Sequence, residues 1–242
     1  MKTVVIVGLG ETGEPISKIE TDAKNDVYVF ELARIDTPEK DIDVMHICIP
    51  FIKTFKYDVK NYVNAYKPKL TIIHSTIPPG TTQEIINDTK MPVIHSFIRG
   101  IHPNLYKGIK TFIKYVGGKK EYCEVAIKHY KSIGIKAEYL GKARDSEMAK
   151  ILSTSYYGYN ILFAKMIQKI CIKYRYEFDT IYTKPNKTYN DGYKKLEMEH
   201  VVRPILIPPL GKISGHCVSE NFEFLPDTKL KKILKELNEN AE

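Results

Sequence analysis

Val4-Val5-Ile6-Val7-Gly8-Leu9-Gly10-Glu11-Thr12-Gly13 is the stretch that decides the fold of this chain. Four β-branched residues read as a short buried strand, and three glycines in G-x-G-x-x-G spacing follow at once. Gly8 permits a tight turn, Gly10 lets backbone approach a pyrophosphate, and Gly13 permits close packing of helix on strand. The helical stretch to about Glu20 then offers unpaired N-terminal amides to an anion. Val27-Tyr28-Val29-Phe30-Glu31 reads as a second strand, and its terminal carboxylate stands 18 residues beyond Gly13. An acid there is placed to hold a ribose hydroxyl. It favours NAD over NADP, because a 2′-phosphate would meet a like charge. S-adenosylmethionine also carries a ribose diol, so the motif alone leaves the cofactor open. Gly8, Gly10, Glu11, Thr12, Gly13 and Glu31 are the cofactor-binding candidates it supplies.

Outward from this motif, strands and helices alternate. Val44 to Ile49 reads as a third strand closed by Pro50, and residues 53 to 66 have helical spacing. Leu70 to His74 is a fourth strand, and Ser75 to Thr82 forms a turn that opens a helix. Val93 to His95, Phe112 to Val116 and Ala137 to Leu140 read as further strands, with a helix near residues 121 to 132. Such alternation implies crossover connections and a mostly parallel Rossmann-like α/β sheet with helices on both faces. The link from Glu31 to Val44 is short for a strand–helix–strand unit, implying a trimmed sheet edge. Residues 144 to 174 read as one long helix with wide apolar coverage, bent near Gly158. Lys184 to Tyr193 reads as a linker, Pro204 to Pro209 as a proline-rich passage, and Asp227 to about Leu237 as a charged helix. We expect a nucleotide-binding domain over 1–143 and a long-helix dimerisation and substrate region over 144–242.

Bulk properties narrow the partners. The chain has 242 residues, 43% of them hydrophobic, which suits a soluble globular protein. It contains no run of eighteen apolar residues, so no membrane span is expected. The N-terminal apolar stretch runs into glycines instead of a small-residue cleavage site, and we expect a cytoplasmic protein. Net charge is +8, but the lysines are dispersed, which fits a basic surface and an anionic small-molecule ligand better than nucleic acid. The four cysteines form no CxxC pair, so reduced thiols are the expectation.

Several segments together resemble the nucleotide-sugar dehydrogenases, the UDP-glucose/GDP-mannose dehydrogenase family. They are Ile6 to Pro15, Ser75-Thr76-Ile77-Pro78-Pro79-Gly80-Thr81-Thr82 and Gly211-Lys212-Ile213-Ser214-Gly215-His216-Cys217. Asp145-Ser146-Glu147-Met148-Ala149-Lys150 is similar to the start of that family's long central helix. The resemblance implies NAD as cofactor and two successive oxidations of a hydroxymethyl group through a cysteine-bound thiohemiacetal and thioester. The matching cysteine is Cys217, a thiolate being able to attack an aldehyde and to leave from a thioester. Gly215 would permit close backbone approach, and His216 would tune the thiol. Thr76, Ser75 and Pro50 would stand at strand ends beside the cofactor, with Thr76 positioning substrate or water. The family's central helix carries an oxyanion-stabilising lysine, and the alignment places Asn160 there, a donor without charge. Lys165 stands four to five residues on, where the family has an asparagine, and is a candidate substrate contact. The resemblance also implies a second nucleotide-binding domain that this chain is too short to contain.

Beyond the resemblance, Arg99 and His102 follow the fifth strand at the crevice side of such a sheet. Arg99 suits a carboxylate or phosphate, and His102 suits an acid or base. His46, His74, Cys48 and Cys171 read as core residues, Tyr156, Tyr157 and Tyr159 as aromatic packing, and no metal site is expected. The chain therefore reads as an NAD-dependent oxidoreductase-like protein acting by hydride transfer on a small or sugar-derived alcohol. A methyltransferase using S-adenosylmethionine on a small ring compound, or a non-catalytic nucleotide-binding protein, stands as the alternative. A homodimer built on the long helix is expected.

Overall fold

The computed structural model describes residues 1–31, 34–209, 213, 218 and 220–240. Two compact units form, Met1–Lys150 and Ile151–Glu242. No helix among the described residues is long and apolar enough to cross a membrane.

The first unit is an α/β sheet of eight strands. In chain order they are β1 (Thr3–Val7), β2 (Asp26–Glu31), β3 (Arg34–Ile35), β4 (Val44–Ile47), β5 (Thr71–Ile73), β6 (Val93–His95), β7 (Lys114–Gly117) and β8 (Ala137–Gly141). The order across the sheet is β3-β2-β1-β4-β5-β6-β7-β8. β2, β1, β4, β5 and β6 are parallel, as the crossover pattern requires. The trimmed edge expected after Glu31 is the two-residue β3, antiparallel to β2. β7 runs antiparallel to β6 and carries β8 parallel to itself. The connection from β6 to β7 includes a helix absent from the sequence reading, α4 (Leu105–Thr111).

Helices cover both faces. α1 (Gly13–Asp22), α4 and α5 (Lys120–Ser132) enclose one core with Val4, Ile6, Ile72, Ile94, Val116 and Tyr130. α2 (Phe55–Tyr66) and α3 (Thr81–Thr89) enclose the other, with Val5, Val7, Met45, Ile47, Phe55, Ile73 and Ile85. Strand alternation assigns the residues: in β4, Met45 and Ile47 join the second core, while His46 points to the first. His46 meets Glu20 of α1 there (Nε2–Oε1 3.2 Å), and His129 of α5 meets the same oxygen at 2.8 Å. His74 and Lys114 are buried beside them, and burial pushes the Lys114 ammonium pKa well below its ordinary value. Burial alone would raise the Glu20 pKa, but hydrogen bonds from His129 and His46 outweigh it and hold the group ionised. His46 and His74 are thus satisfied core histidines, as expected.

α6 (Ala143–Tyr174) begins in the first unit and continues through the second. In the second unit Gly158 marks close packing: a Cβ there would lie 2.6 Å from Val218 Cγ1 and 2.8 Å from Phe222 Cζ. Ile151, Leu162, Phe222, Leu225 and Leu234 form the core of this unit with α8 (Lys229–Glu239). The expected linker at Lys184 to Tyr193 is instead a helix, α7 (Lys184–Lys195). Pro185 at its first turn and the Tyr189–Tyr193 ring pair support it. Asn190 fixes it by bonding the backbone of Arg203 twice (Nδ2 to O 2.8 Å, N to Oδ1 2.9 Å). Tyr156, Tyr157 and Tyr159 are not packed as expected; they are 62%, 46% and 42% exposed.

Candidate active site

The glycine loop behaves as its spacing predicts. Gly8 has φ of +88°, a region L side chains avoid, and its N–H bonds Phe30 O at 2.9 Å. A Cβ on Gly13 would lie 1.9 Å from Gly8 O, so no side chain fits between α1 and the end of β1. A Cβ on Gly10 would meet nothing within 4 Å, and Gly10 and Glu11 are exposed while Thr12 is half-buried. The loop therefore leaves open space over the first turn of α1. Glu31, at the end of β2, accepts a hydrogen bond from Leu9 N at 2.7 Å through Oε2. The carboxylate thus anchors the loop at the point where a ribose would arrive.

The neighbouring strand ends complete one edge of the sheet. Chain reversal between β2 on one side of β1 and β4 on the other makes this edge the candidate ligand crevice. Beyond β4 lies exposed Pro50, and beyond β5 lie half-buried Ser75 and Thr76. Ser75 Oγ donates to Ile49 O at 2.5 Å and ties these two loops together. His95, at the end of β6, bridges Ser75 O (Nε2, 3.1 Å) and Ser146 Oγ (Nδ1, 2.9 Å). Since a carbonyl only accepts, Nε2 carries the proton and Nδ1 accepts from the serine. Burial pushes the His95 pKa down to about 3, so it positions the Ser75 loop as a neutral ring.

The first turns of α6 belong to this edge, which the sequence reading did not draw out of Asp145 to Lys150. Glu147 is buried and accepts from Gly80 N (2.5 Å) and Thr82 N (2.8 Å), capping α3 from another helix. Burial raises its pKa. Lys150 is half-buried, with Nζ donating to Ile98 O at 3.1 Å just beyond β6. The signal for these residues was their spacing: 146, 147 and 150 fall on adjoining positions of one helix face.

Other candidates are already engaged or belong to other parts of the chain. Arg99 donates from Nη2 to Ile113 O and stacks on Phe112 and Tyr115, with 5.4 and 4.9 Å to the ring centroids. His102 is exposed in the loop that follows. Asn160 and Lys165 belong to the second unit. Asn160 Nδ2 donates to Tyr156 O at 2.7 Å, and buried Lys165 donates to Pro209 O at 2.9 Å. Gly215, His216 and Cys217 lie outside the described residues. A separate groove of about 860 Å³ runs beside α3, lined by Gly80, Gln83, Lys90, Lys119, Lys142 and Arg144. It does not include the glycine loop.

No family model matches the chain. Curated relatives do. A UDP-N-acetyl-D-mannosamine dehydrogenase of Methanococcus vannielii is 28% identical over 203 residues, covering 76% of this chain and 44% of the relative. The enzyme of that name from Methanocaldococcus jannaschii is 27% identical over 235 residues, covering 86% and 51%. The resemblance to nucleotide-sugar dehydrogenases is borne out. The chain spans about half the length of the curated relatives it matches. Among solved structures, UDP-D-ManNAc dehydrogenase of Pyrococcus horikoshii superposes with a TM-score of 0.77 at 21% identity, covering 99% of this chain and 68% of that one. A 3-hydroxyisobutyrate dehydrogenase of Mycobacterium tuberculosis gives 0.65 at 17% identity, covering 100% and 86%. These two establish the Rossmann-like fold.

Proposed function

We propose that this chain is an NAD-dependent oxidoreductase that removes a hydride from a hydroxyl-bearing carbon of a small or sugar-derived anionic substrate. The observation that carries the reading is the glycine loop, closed at Gly8 and Gly13 and open at Gly10, with Glu31 beside it. A dinucleotide fits this cradle: the α1 amides suit its pyrophosphate and the Glu31 carboxylate suits a free ribose diol. NAD, when bound, supplies the hydride acceptor. The dehydrogenase names of the relatives favour a nicotinamide over S-adenosylmethionine.

The chain's own residues then have separable tasks. Glu31 selects against a 2′-phosphate. His95 and Glu147 fix the Ser75–Thr82 loop, so that Thr76 keeps one position beside the reacting carbon. In our reading Lys150, not Asn160, is the cation of the long helix. Its ammonium, held at Ile98 O, would stabilise an oxygen that gains negative charge during oxidation. Cys217 is the proposed nucleophile of a second oxidation, assisted by His216 and Gly215, while Arg99, His102 and Lys165 are proposed substrate contacts. The apolar residues exposed along α6, among them Tyr156, Phe163, Met166 and Ile170, are the proposed face of a homodimer.

Calorimetric titration with NAD, NADP and S-adenosylhomocysteine tests the cofactor. The reading expects NAD to bind best, and Lys150→Met to abolish turnover while leaving NAD affinity unchanged. Preferential binding of S-adenosylhomocysteine, or turnover insensitive to Lys150→Met, would contradict it.

A further inference from the structure

Lys114 is buried in the core, and none of the steps above uses it. It lies on β7 with only 4% of its surface exposed. β6 and β7 share the single register pair His95↔Gly117, so the ladder between them stops where the chain leaves β6. The residues that follow, Ser96, Phe97 and Ile98, are still buried, and their carbonyls need other donors.

Lys114 supplies two of them. Its Nζ donates to Ser96 O at 2.8 Å and to Phe97 O at 2.7 Å. An amine donates both bonds in either protonation state. A third contact, 3.2 Å to His74 Nδ1, joins it to the hydrogen-bonded file of His74, His46 and Glu20. Its chain neighbours grip the same segment. Ser96 Oγ donates to Tyr115 O at 2.7 Å, and Arg99 Nη2 donates to Ile113 O. Residues 113–115 thus clamp residues 96–99.

The next carbonyl along, Ile98 O, is the one that accepts from Lys150 Nζ at 3.1 Å. A peptide unit is planar, so fixing a carbonyl fixes the whole unit and leaves only soft dihedrals to the next one. With Ser96 O and Phe97 O held, the Ile98 carbonyl has little freedom. Burying an amine is costly unless its bonds are made. An apolar side chain of similar length would fill the space without that cost, so the bonds are what the lysine adds.

We propose that Lys114 is a positioning residue for Lys150: holding the Ser96 and Phe97 carbonyls from inside the core, it sets the Ile98 carbonyl that anchors the Lys150 ammonium. Its bearing on catalysis rests on the reading of Lys150 given above.

The test labels the lysines of the full chain with carbon-13 and follows their ε-methylenes by NMR. The Lys150 signal is assigned as the one lost in Lys150→Met. A freely rotating lysine averages its paired ε protons to one shift, whereas an anchored one keeps them apart. The proposal expects separate shifts for Lys150 in wild type and their collapse to the free-lysine position in Lys114→Met. It expects partial retention in Lys114→Gln, whose amide still donates. Ile6→Ala, which removes packing from the same core, should leave the Lys150 signal split. Averaged ε protons of Lys150 in wild type overturn the proposal, whether or not the variants fold. An unchanged Lys150 signal in either Lys114 variant, folded by circular dichroism, overturns it as well. Equal collapse in Ile6→Ala would reduce Lys114 to packing and also overturn it. Turnover of Lys150→Met judges the catalytic reading separately, because the NMR signals report the anchor alone.

Discussion

The two faces of the central sheet are built from the same strands, yet they differ in kind. Facing α2 and α3, Met45, Ile47, Ile73 and Ile85 make an apolar layer. Facing α1 and α5, a second apolar layer with Val4, Ile6, Ile72 and Ile94 surrounds His46 and His74, which meet Glu20, His129 and Lys114. An apolar layer stabilises by area removed from water and is tolerant in detail. A buried polar layer contributes only if every donor and acceptor is matched, so each member depends on the others. The difference teaches that the α1 face, which also carries the glycine loop, is the specified one.

Substitutions separate the two behaviours. Glu20→Ala should have the largest effect, about 3–5 kcal/mol by urea denaturation, because it leaves buried histidine donors without an acceptor. On the other face Ile73→Ala should cost about 2–5 kcal/mol, through lost burial and a cavity. Pairing Glu20→Ala with His129→Ala should be far from additive, whereas Ile73→Ala with Phe55→Ala should fall nearer the sum of the singles. Additivity on both faces would break the comparison.

Smaller effects sharpen it at the crevice. Glu147→Gln should cost about 1–3 kcal/mol, since one of two amide donors at the start of α3 loses its acceptor. The Glu147 pKa is raised by burial, so the folded state holds a proton that the unfolded state has released. Its contribution is greatest below the ordinary carboxylate pKa and declines as pH rises through the folded value. The Glu147→Gln variant should lack that slope in denaturation curves taken across mildly acidic pH. Gly10→Ala should shift stability by no more than about 0.5 kcal/mol, because a Cβ there meets nothing. It should nevertheless weaken nucleotide binding, whereas Gly13→Ala should disturb the loop itself.

Local chemistry explains what was readable in advance. β1, the glycine loop and Glu31 declare themselves because strand period, turn glycines and a terminal acid all lie within thirty-one residues. Helix α7 did not, since lysine, asparagine and tyrosine composition suggests a linker and only the Asn190–Arg203 backbone bonds fix it. β7 likewise departs from the crossover pattern, in which a helix-bearing connection returns a parallel strand. The buried polar cluster joins residues 20, 46 and 129, a separation no spacing motif can carry. Lys150 was visible as part of a helix start, but its place beside Ile98 needed three dimensions.

The central claim is that the glycine loop and Glu31 hold a nicotinamide dinucleotide lacking a 2′-phosphate. Calorimetric titration of wild type and Glu31→Ala with NAD and NADP measures this most directly. The account predicts NAD binding that exceeds NADP, and a loss of roughly 10–100-fold in NAD affinity on removing the charged acceptor, with the preference over NADP narrowed. Equal affinity for both cofactors in wild type, or NAD affinity unchanged by Glu31→Ala, would contradict it.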